Sequence, residues 1–266
     1  MASIGEVTQK FNAFRDEVKS SNTNLEQASQ MLTDLKILMT NFTFLLPGKD
    51  VSPEALREAF ISREILEHAV LLSVKQRDPA SFERHLAQLK TYYDSNRFKD
   101  LPPSPLQYTI LGLNLLRLLA LNRISDFHTE LELIPVEQHE NVYIKHPVML
   151  EQYIMEGSYN KVFEAAKDVP SDTYSFFMEY LLETRLKDEI AECSEKAYES
   201  LSVKAAQELL HFRDSESLLS YAAERGWEVV GDTINLQKKK EELPQIPSIN
   251  VIGQTLAYAK ELERIV

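Results

Sequence analysis

An apolar run from Ile110 to Leu121 constrains the fold more than any other stretch of the sequence. Only Asn114 and Arg117 interrupt it, and its apolar residues cover nearly the whole circumference of a helix. A helix that is apolar on most sides is buried by other helices on those sides. Helical patterns come both before and after this run. We therefore predict that it forms the middle of a stack of helices.

The chain before this run is predicted to be helical as well. Apolar residues recur at steps of three and four from Ile4 to Val18, and again from Leu25 to Phe42. Three later helix starts share one signature, in which a capping oxygen precedes a proline at the first helical position. These starts are Ser52-Pro53, Asp78-Pro79 and Ser104-Pro105, so the prolines are 26 residues apart both times. This spacing predicts a solenoid-like stack of antiparallel helices of similar length. Repeat families of paired helices usually have longer periods, so the stack is not assigned to a named repeat.

Short helices are also predicted after the apolar run. One carries Phe127, and another begins at Pro147 and ends at Gly157, a residue that favours a left-handed helix end. No strand is predicted before Leu186.

The pattern changes near Leu186, where a helix leads into a short β-prone piece at 200–203. Two more helices follow, and then a hairpin from Glu228 to Leu236 that turns at Gly231-Asp232. Helix, strand, helix, helix, hairpin is the element order of a winged helix. The polar segment after it contains two prolines and is predicted to be a linker. We therefore predict a mostly α protein with a helical-repeat domain at 1–185, a winged-helix domain at 186–237, a linker at 238–249 and a C-terminal helix at 250–266.

Composition argues against several functions. With 7 glycines the sequence contains neither a dinucleotide-binding G-x-G-x-x-G motif nor a phosphate-binding P-loop. The formal net charge is -12, and from Lys187 to Asp232 there are 5 basic and 11 acidic residues. Such a surface repels phosphate, so we expect no nucleic-acid partner. Lys238, Lys239 and Lys240 form a basic run, but Glu241 and Glu242 follow directly, which favours a solvated linker.

No chemistry-bearing cluster emerges from the sequence. His128 and Glu130 are two residues apart on a helix and point to different sides, and His139 and His146 have no partner at ligand spacing. The single cysteine, Cys193, lies beside Ile190 and is predicted to be a buried structural thiol. We therefore expect no catalytic residue, no cofactor, no metal, no small-molecule substrate and no enzyme activity.

The same features bear on where the protein resides. One cysteine cannot form an internal disulfide, and the polar N-terminus has no apolar core of secretory length. No uninterrupted apolar run is long enough for a membrane span. We therefore expect a cytoplasmic and nuclear protein with no membrane partner.

Two elements are typical of protein assembly. The first is the C-terminal helix, whose apolar stripe we predict to be a partner interface formed by Ile252, Leu256, Ala259, Leu262, Ile265 and Val266. The alternative is that this helix folds back on its own winged helix. The second is the wing, where we predict an edge interface formed by Val229, Val230, Ile234 and Leu236.

Several longer strings resemble one known family. They are GLNLLRLLALNRISDFHTELELIP at 112–135, YIKHPVMLEQYIMEGSYNKVF at 143–163, DEIAECSEKAYESL at 188–201 and LAYAKELERIV at 256–266. They are similar to the family of 26S proteasome non-ATPase regulatory subunit 8, which belongs to the regulatory-particle lid. The N-terminal hundred residues match less distinctively, through LKILMTNF at 35–42 and REILEHAVLLSVK at 63–75.

The resemblance implies a fold and a set of partners. Members of that family carry a PCI module, in which helical repeats precede a winged helix. It implies a non-catalytic scaffold, supporting lid assembly and ubiquitin-dependent degradation, that packs beside other lid subunits, among them non-ATPase subunit 3. It also implies that the C-terminal helix enters the bundle of lid C-terminal helices. A scaffold subunit of another PCI complex, the signalosome or a translation initiation factor complex, is the alternative.

Overall fold

A computed structural model describes residues 4–19, 24–40, 42, 53–94, 101–212, 214–236 and 248–264. The chain divides into two compact units, Met1–Leu186 and Lys187–Val266. Among the described residues, none of the helices combines the length and apolarity that crossing a bilayer requires. The predicted linker residues 238–247, with their basic run and prolines, lie outside the described residues, as does Ser52.

Helices build the first unit, and no strand occurs among its described residues. This confirms the mostly α fold predicted from the sequence. The helices are α1 (Ile4–Lys19), α2 (Leu25–Met39), α3 (Pro53–Lys75), α4 (Pro79–Asp94), α5 (Gln107–Ala120), α6 (Ile124–Glu132), α7 (Val142–Met155), α8 (Tyr159–Ala165) and α9 (Ser175–Tyr180). Short 3-10 turns occur at Val136–Gln138 and Asp172–Tyr174, and a π-helix follows α9 at Leu181–Leu186.

The three-four spacing of the first helices places their apolar residues in one core. Val7, Phe11 and Phe14 of α1 are buried together with Leu32 and Leu35 of α2. Of the three starts predicted from the prolines, Pro53 and Pro79 begin α3 and α4, but α5 begins at Gln107, two residues after Pro105, and has no side-chain cap. Asp78 Oδ1 accepts hydrogen bonds from the backbone N–H groups of Ala80 (3.0 Å) and Ser81 (3.2 Å) at the start of α4. These bonds satisfy donors that the first helical turn would otherwise leave unpaired.

The apolar run forms α5, and its two polar residues are buried with it. Arg117 donates from Nη2 to Asn114 Oδ1 (3.3 Å), and its Nη1 lies 3.2 Å from Glu83 Oε2. A buried guanidinium requires such partners because an unpaired charge in a core is costly. The two interruptions of the run are therefore internal contacts of the first unit.

Helix α7 begins five residues earlier than the sequence predicted. Asn141 is its N-cap and accepts from the Tyr143 N–H (3.2 Å), so Pro147 lies inside the helix instead of starting it. A proline has no N–H, which leaves the carbonyl four residues earlier without its helical donor. Here that carbonyl belongs to Tyr143, and the buried Tyr174 hydroxyl donates to it (3.3 Å) and to Thr109 O (2.9 Å). The missing helical bond is thus replaced by a tertiary one.

Lys187–Val266 is the second unit. Its elements are α10 (Lys187–Ala197), β1 (Ser200–Ser202), α11 (Val203–Leu209), α12 (Ser215–Arg225), β2 (Glu228–Val230), β3 (Thr233–Asn235) and α13 (Ser248–Glu263). The strands form an antiparallel sheet in the order β1-β3-β2. This is the predicted winged-helix arrangement. Gly231, with a φ of 64°, occupies the first position of the hairpin turn, where a positive φ is required.

The prediction of a buried Cys193 is wrong, because its side chain is exposed. Helix α10 buries Ile190, Ala191 and Ser194 instead. The core-facing stripe of α10 therefore runs beside Cys193 without including it.

One buried histidine gives the first unit a testable pH dependence. His85 Nε2 lies 2.6 Å from Lys36 Nζ, and its Nδ1 lies 2.9 Å from Ser73 Oγ, which donates to Ala69 O. The Lys36 ammonium has only donors, so Nε2 must accept, and this arrangement fits the neutral ring. Burial, followed by the charge of Lys36, lowers the pKa of His85 from 6.5 to about 4.

We expect the free energy of unfolding to decrease as the pH is lowered, because of this histidine. The unfolded chain binds the proton near pH 6.5 and the folded chain near pH 4, so the contribution of His85 is complete above pH 6.5 and is lost as the pH falls toward 4. His85→Gln should remove this part of the pH dependence. Thermal melts at pH steps from 7 to 4 should show a smaller loss of stability for the variant. The slope of its stability against pH should lack the contribution of about one proton. Equal slopes would contradict the assignment.

Candidate assembly surfaces

Helix α13 presents an apolar stripe that nothing in the described chain covers. All its described residues are exposed, including Ile252, Leu256, Ala259 and Leu262 from the predicted interface. Leu256 is 65% exposed and Leu262 is 58% exposed. Ile265 and Val266 lie outside the described residues. None of the described residues of α13 is buried against the winged helix, which favours a partner interface over the fold-back alternative that the sequence left open.

Leaving the apolar side chains of α13 exposed to water is unfavourable for a helix of 16 residues. A helix of this length is marginal in water unless packing stabilises it. Burying a Leu or Ile side chain contributes about 1.5–3 kcal/mol. The stripe on α13 can therefore supply a large part of the free energy of binding to another protein.

The wing offers the second surface, and only part of the predicted residue set lies on it. Val229 and Val230 belong to the edge strand β2 and are 41% and 62% exposed. Ile234 belongs to the central strand β3 and is 0% exposed, and Leu236 is 3% exposed. Including Ile234 and Leu236 in the interface is therefore a mistake, since both are core residues of the winged helix.

The hydrogen-bond pattern shows which backbone groups of β2 face outward. The Leu236 N–H donates to Glu199 O, and the Val203 N–H donates to Asp232 O, each at 3.0 Å. Hydrogen-bonded and non-hydrogen-bonded residue pairs alternate along an antiparallel ladder. The backbone N–H and C=O of Ile234 therefore bond to β1 and not to β2. Val229, which lies opposite Ile234, therefore directs its N–H and C=O toward the open edge of the sheet.

Polar contacts inside the winged helix fix the helices that carry the wing. Trp227 Nε1 donates to Glu195 Oε1 (2.8 Å), and the Tyr221 hydroxyl donates to Asp188 Oδ1 (2.6 Å). Arg225 Nη2 also donates to Asp188 Oδ1 (2.8 Å). Burial opposes ionisation of Asp188, but these hydrogen bonds outweigh it and lower the pKa of that carboxyl.

The same contacts bear on nucleic-acid binding. In winged helices that read DNA, the third helix enters the major groove. Here α12 is that helix, and its single basic residue, Arg225, is paired with Asp188 inside the unit. Glu216 and Glu224 on α12 are exposed. The described residues of α12 therefore carry exposed negative charge, and their one basic side chain is already paired.

Within the described part of the chain, the histidines do not gather into a metal site. Among the described residues, the structure brings together no group of three or more His, Cys, Asp or Glu side chains that could hold a metal ion. His139 Nε2 and His146 Nε2 each lie within hydrogen-bond distance of a backbone carbonyl, Ile134 O and Ala165 O respectively. Burial lowers the pKa of His146. Both residues therefore have structural roles in the first unit.

Comparison with known proteins places the chain in a family. The family model of the CSN8/PSMD8/EIF3K family matches residues 105–246. The chain is 48% identical to the 26S proteasome non-ATPase regulatory subunit 8 homolog A of Arabidopsis thaliana, over 99% of this chain and 98% of that protein. It is 37% identical to the 26S proteasome non-ATPase regulatory subunit 8 of Caenorhabditis elegans, over 79% of this chain and 83% of that protein.

A fungal relative extends the similarity. The chain is 31% identical to the 26S proteasome regulatory subunit rpn12 of Schizosaccharomyces pombe, over 88% of this chain and 91% of that protein. The match to the Arabidopsis protein covers 99% of this chain and therefore spans both units. The chain therefore belongs to the CSN8/PSMD8/EIF3K family and is a homologue of the 26S proteasome non-ATPase regulatory subunit 8 proteins.

Proposed function

We propose that the chain is a structural, non-catalytic subunit of the lid of the 26S proteasome regulatory particle. Its role is to support assembly of the lid and thereby ubiquitin-dependent protein degradation. The observation that supports this role best is the exposed apolar stripe of α13, a surface that needs a protein partner to be buried. The relatives are named as subunits of the 26S proteasome, and we infer that the partner belongs to the same complex.

The two surfaces have different tasks in this proposal. Helix α13 enters a bundle of C-terminal helices from other lid subunits, which would bury a stripe that is apolar and exposed in the described chain. The open edge of β2 lies against a neighbouring subunit, and non-ATPase subunit 3 is the neighbour that we propose. An exposed strand edge carries unpaired N–H and C=O groups, so another chain can satisfy them by pairing.

The proposal includes where the protein acts and what it does not bind. We place it in the cytoplasm and the nucleus, without cofactor, metal, small-molecule substrate or nucleic acid. Deubiquitination by a metalloprotease requires a set of metal ligands, and the described residues bring no such set together.

Affinity purification tests the proposal. The full chain, tagged at its N-terminus, is purified from cells at gentle salt, and its partners are identified by mass spectrometry. We expect the other lid subunits in amounts near equal to the tagged chain. Recovery of signalosome or translation initiation factor subunits in their place would favour the alternative and contradict the lid assignment.

Val229→Pro is expected to weaken assembly more than it weakens the fold. The N–H of Val229 faces the open edge, so proline removes a donor that β3 does not use. The melting temperature of the isolated variant should stay within about 4 °C of the wild type, which corresponds to about 1–2 kcal/mol for a chain of this size. Co-purification with lid subunits should fall several-fold.

Ile234→Pro is the matched comparison, because it removes a ladder donor of the central strand. We expect this variant to lose the fold of the winged helix. Normal incorporation of a folded Val229→Pro chain would show that the β2 edge is not used.

A further inference from the structure

The connection between α6 and α7 exposes an unusual set of apolar side chains. We call residues 132–142 the acidic connection. Leu133 is 64% exposed, Val136 is 80% exposed and Val142 is 64% exposed. Single exposed apolar residues are common on surfaces, but several in one short connection indicate an interaction site.

Backbone hydrogen bonds hold this connection in a fixed conformation. The Gln138 N–H donates to Pro135 O (2.9 Å), and the His139 N–H donates to Val136 O (3.1 Å). His139 Nε2 lies 3.0 Å from Ile134 O and ties the turn to the end of α6. The apolar side chains are therefore displayed by an ordered turn, which lowers the entropy cost of binding.

The charge of the acidic connection is one-sided. Between Arg123 and Lys145 there are five acidic residues and no Lys or Arg. Glu130 is neutralised by its ion pair with Lys90 on α4. Glu132, Glu137 and Glu140 are exposed, and none of them forms an ion pair among the described residues. Three carboxylates that have no counter-charge within the described ranges favour a partner that brings positive charge.

A small cavity opens beside the exposed side chains. Its volume is about 210 Å³, and its lining is mixed: Leu133, Ile134 and Pro135 contribute apolar surface, and the Lys90–Glu130 ion pair contributes polar surface. Small-molecule sites are typically about 300–1,000 Å³. This cavity is smaller, so it has room for one side chain of a partner protein and not for a typical small molecule.

We propose that the acidic connection is a docking surface for a basic amphipathic segment of another protein. The segment places an apolar side chain against the exposed Leu133 and Val136, and its Lys or Arg residues contact Glu132, Glu137 and Glu140. The inference rests on the proposed function in one respect, since it places the segment in another chain of the same particle. It adds a third contact surface, on the first unit, to those on the second.

Photo-crosslinking in the assembled particle tests the proposal. p-Benzoyl-phenylalanine is introduced at Val136 of the tagged full chain, the particle is purified and irradiated, and the crosslinked peptides are sequenced. Incorporation is measured on the same sample before irradiation, so that failure of the lid assignment is seen separately. We expect a crosslink to a peptide of another chain that contains at least two Lys or Arg residues around an apolar residue.

Charge reversal provides the matched comparison. Glu132→Lys with Glu137→Lys and Glu140→Lys should reduce the crosslink yield at least five-fold, or block incorporation. Glu164→Lys with Asp168→Lys and Glu183→Lys makes the same change in net charge at exposed carboxylates elsewhere on the first unit, and it should leave both readouts unchanged.

Three results would overturn the proposal. They are the absence of a crosslink from position 136 in a particle that contains the labelled chain, a crosslink to a peptide without basic residues, and an equal effect of the two triple variants. A chain that does not enter the particle at all would overturn the proposed function together with this inference.

Discussion

Replacing Leu256 and Leu262 with Asp is expected to give a folded, soluble chain that no longer joins the lid. Both side chains are exposed in the isolated chain, so the substitutions remove no internal packing. In the assembly each would lose about 1.5–3 kcal/mol of burial. Because 1.4 kcal/mol is a tenfold change in affinity, the double variant should bind at least about 100-fold more weakly. Deleting residues 250–266 should have the same effect.

A pull-down beside a thermal melt of the isolated chain measures both parts of this prediction. The control is Gln254→Asp with Ala257→Asp, which adds the same two charges on the opposite face of α13, as its helical period of 3.6 residues places them. We expect the control to assemble normally. Normal assembly of the Leu256→Asp, Leu262→Asp chain would show that α13 is not an assembly element, whereas a lower melting temperature would show that α13 contributes to the fold.

Gly112→Ala is expected to be the most destabilising single methyl addition in the first unit. A Cβ at Gly112 would lie 2.2 Å from Tyr143 O and 2.3 Å from the Tyr174 hydroxyl oxygen. The Tyr143 carbonyl is held by α7, and the Tyr174 hydroxyl is held by its bonds to that carbonyl and to Thr109 O. Relief therefore requires α5 and α7 to move apart, at or above the upper end of the roughly 1–3 kcal/mol that overpacking usually costs.

Thermal unfolding followed by circular dichroism measures this effect. Gly253→Ala is the control, since it makes the same change in a helix where the added Cβ meets nothing within 4 Å beyond its chain neighbours and the helix backbone. It should leave the melting temperature unchanged or raise it slightly, because alanine favours helix over glycine. A Gly112→Ala chain as stable as the wild type would contradict the close approach of α5 and α7.

The sequence predicted those parts of the fold that depend on local pattern. The three-four spacing of Val7, Phe11 and Phe14 predicts one buried face, and these residues are buried. The circumferential run at 110–121 predicts a helix buried on most sides, and α5 fits that description. The element order after Leu186 predicts the winged helix. Each of these signals depends on residues close together in the chain.

The errors come from contacts between residues distant in the chain. Pro147 resembles a helix start, and it is tolerated inside α7 because Tyr174, 31 residues beyond Tyr143, donates to the carbonyl that the proline leaves unpaired. Asn141 was the available signal, because asparagine is a favoured N-cap residue. Ile234 and Val229 are equally β-prone, and only the strand order separates the core residue from the edge residue.

The apolar stripe of α13 and the acidic connection could be predicted from the sequence to different extents. The apolar stripe of α13 follows from its periodicity, but its exposure depends on the fold of the rest of the unit. The sequence also contains a signal for the acidic connection, which the prediction missed. This signal is the absence of Lys and Arg between Arg123 and Lys145. That Leu133, Val136 and Val142 remain exposed there depends on the tertiary structure.

Hydrogen exchange of residues 248–264 tests the central claim most directly. The claim is that α13 is exposed in the isolated chain and becomes buried in the lid. Deuterium uptake of this segment is compared between the purified isolated chain and the purified particle. We expect fast uptake in the isolated chain, because the helix is marginal without packing, and strong protection in the particle. Equal uptake in the two samples would contradict the claim that α13 is the element through which this chain assembles.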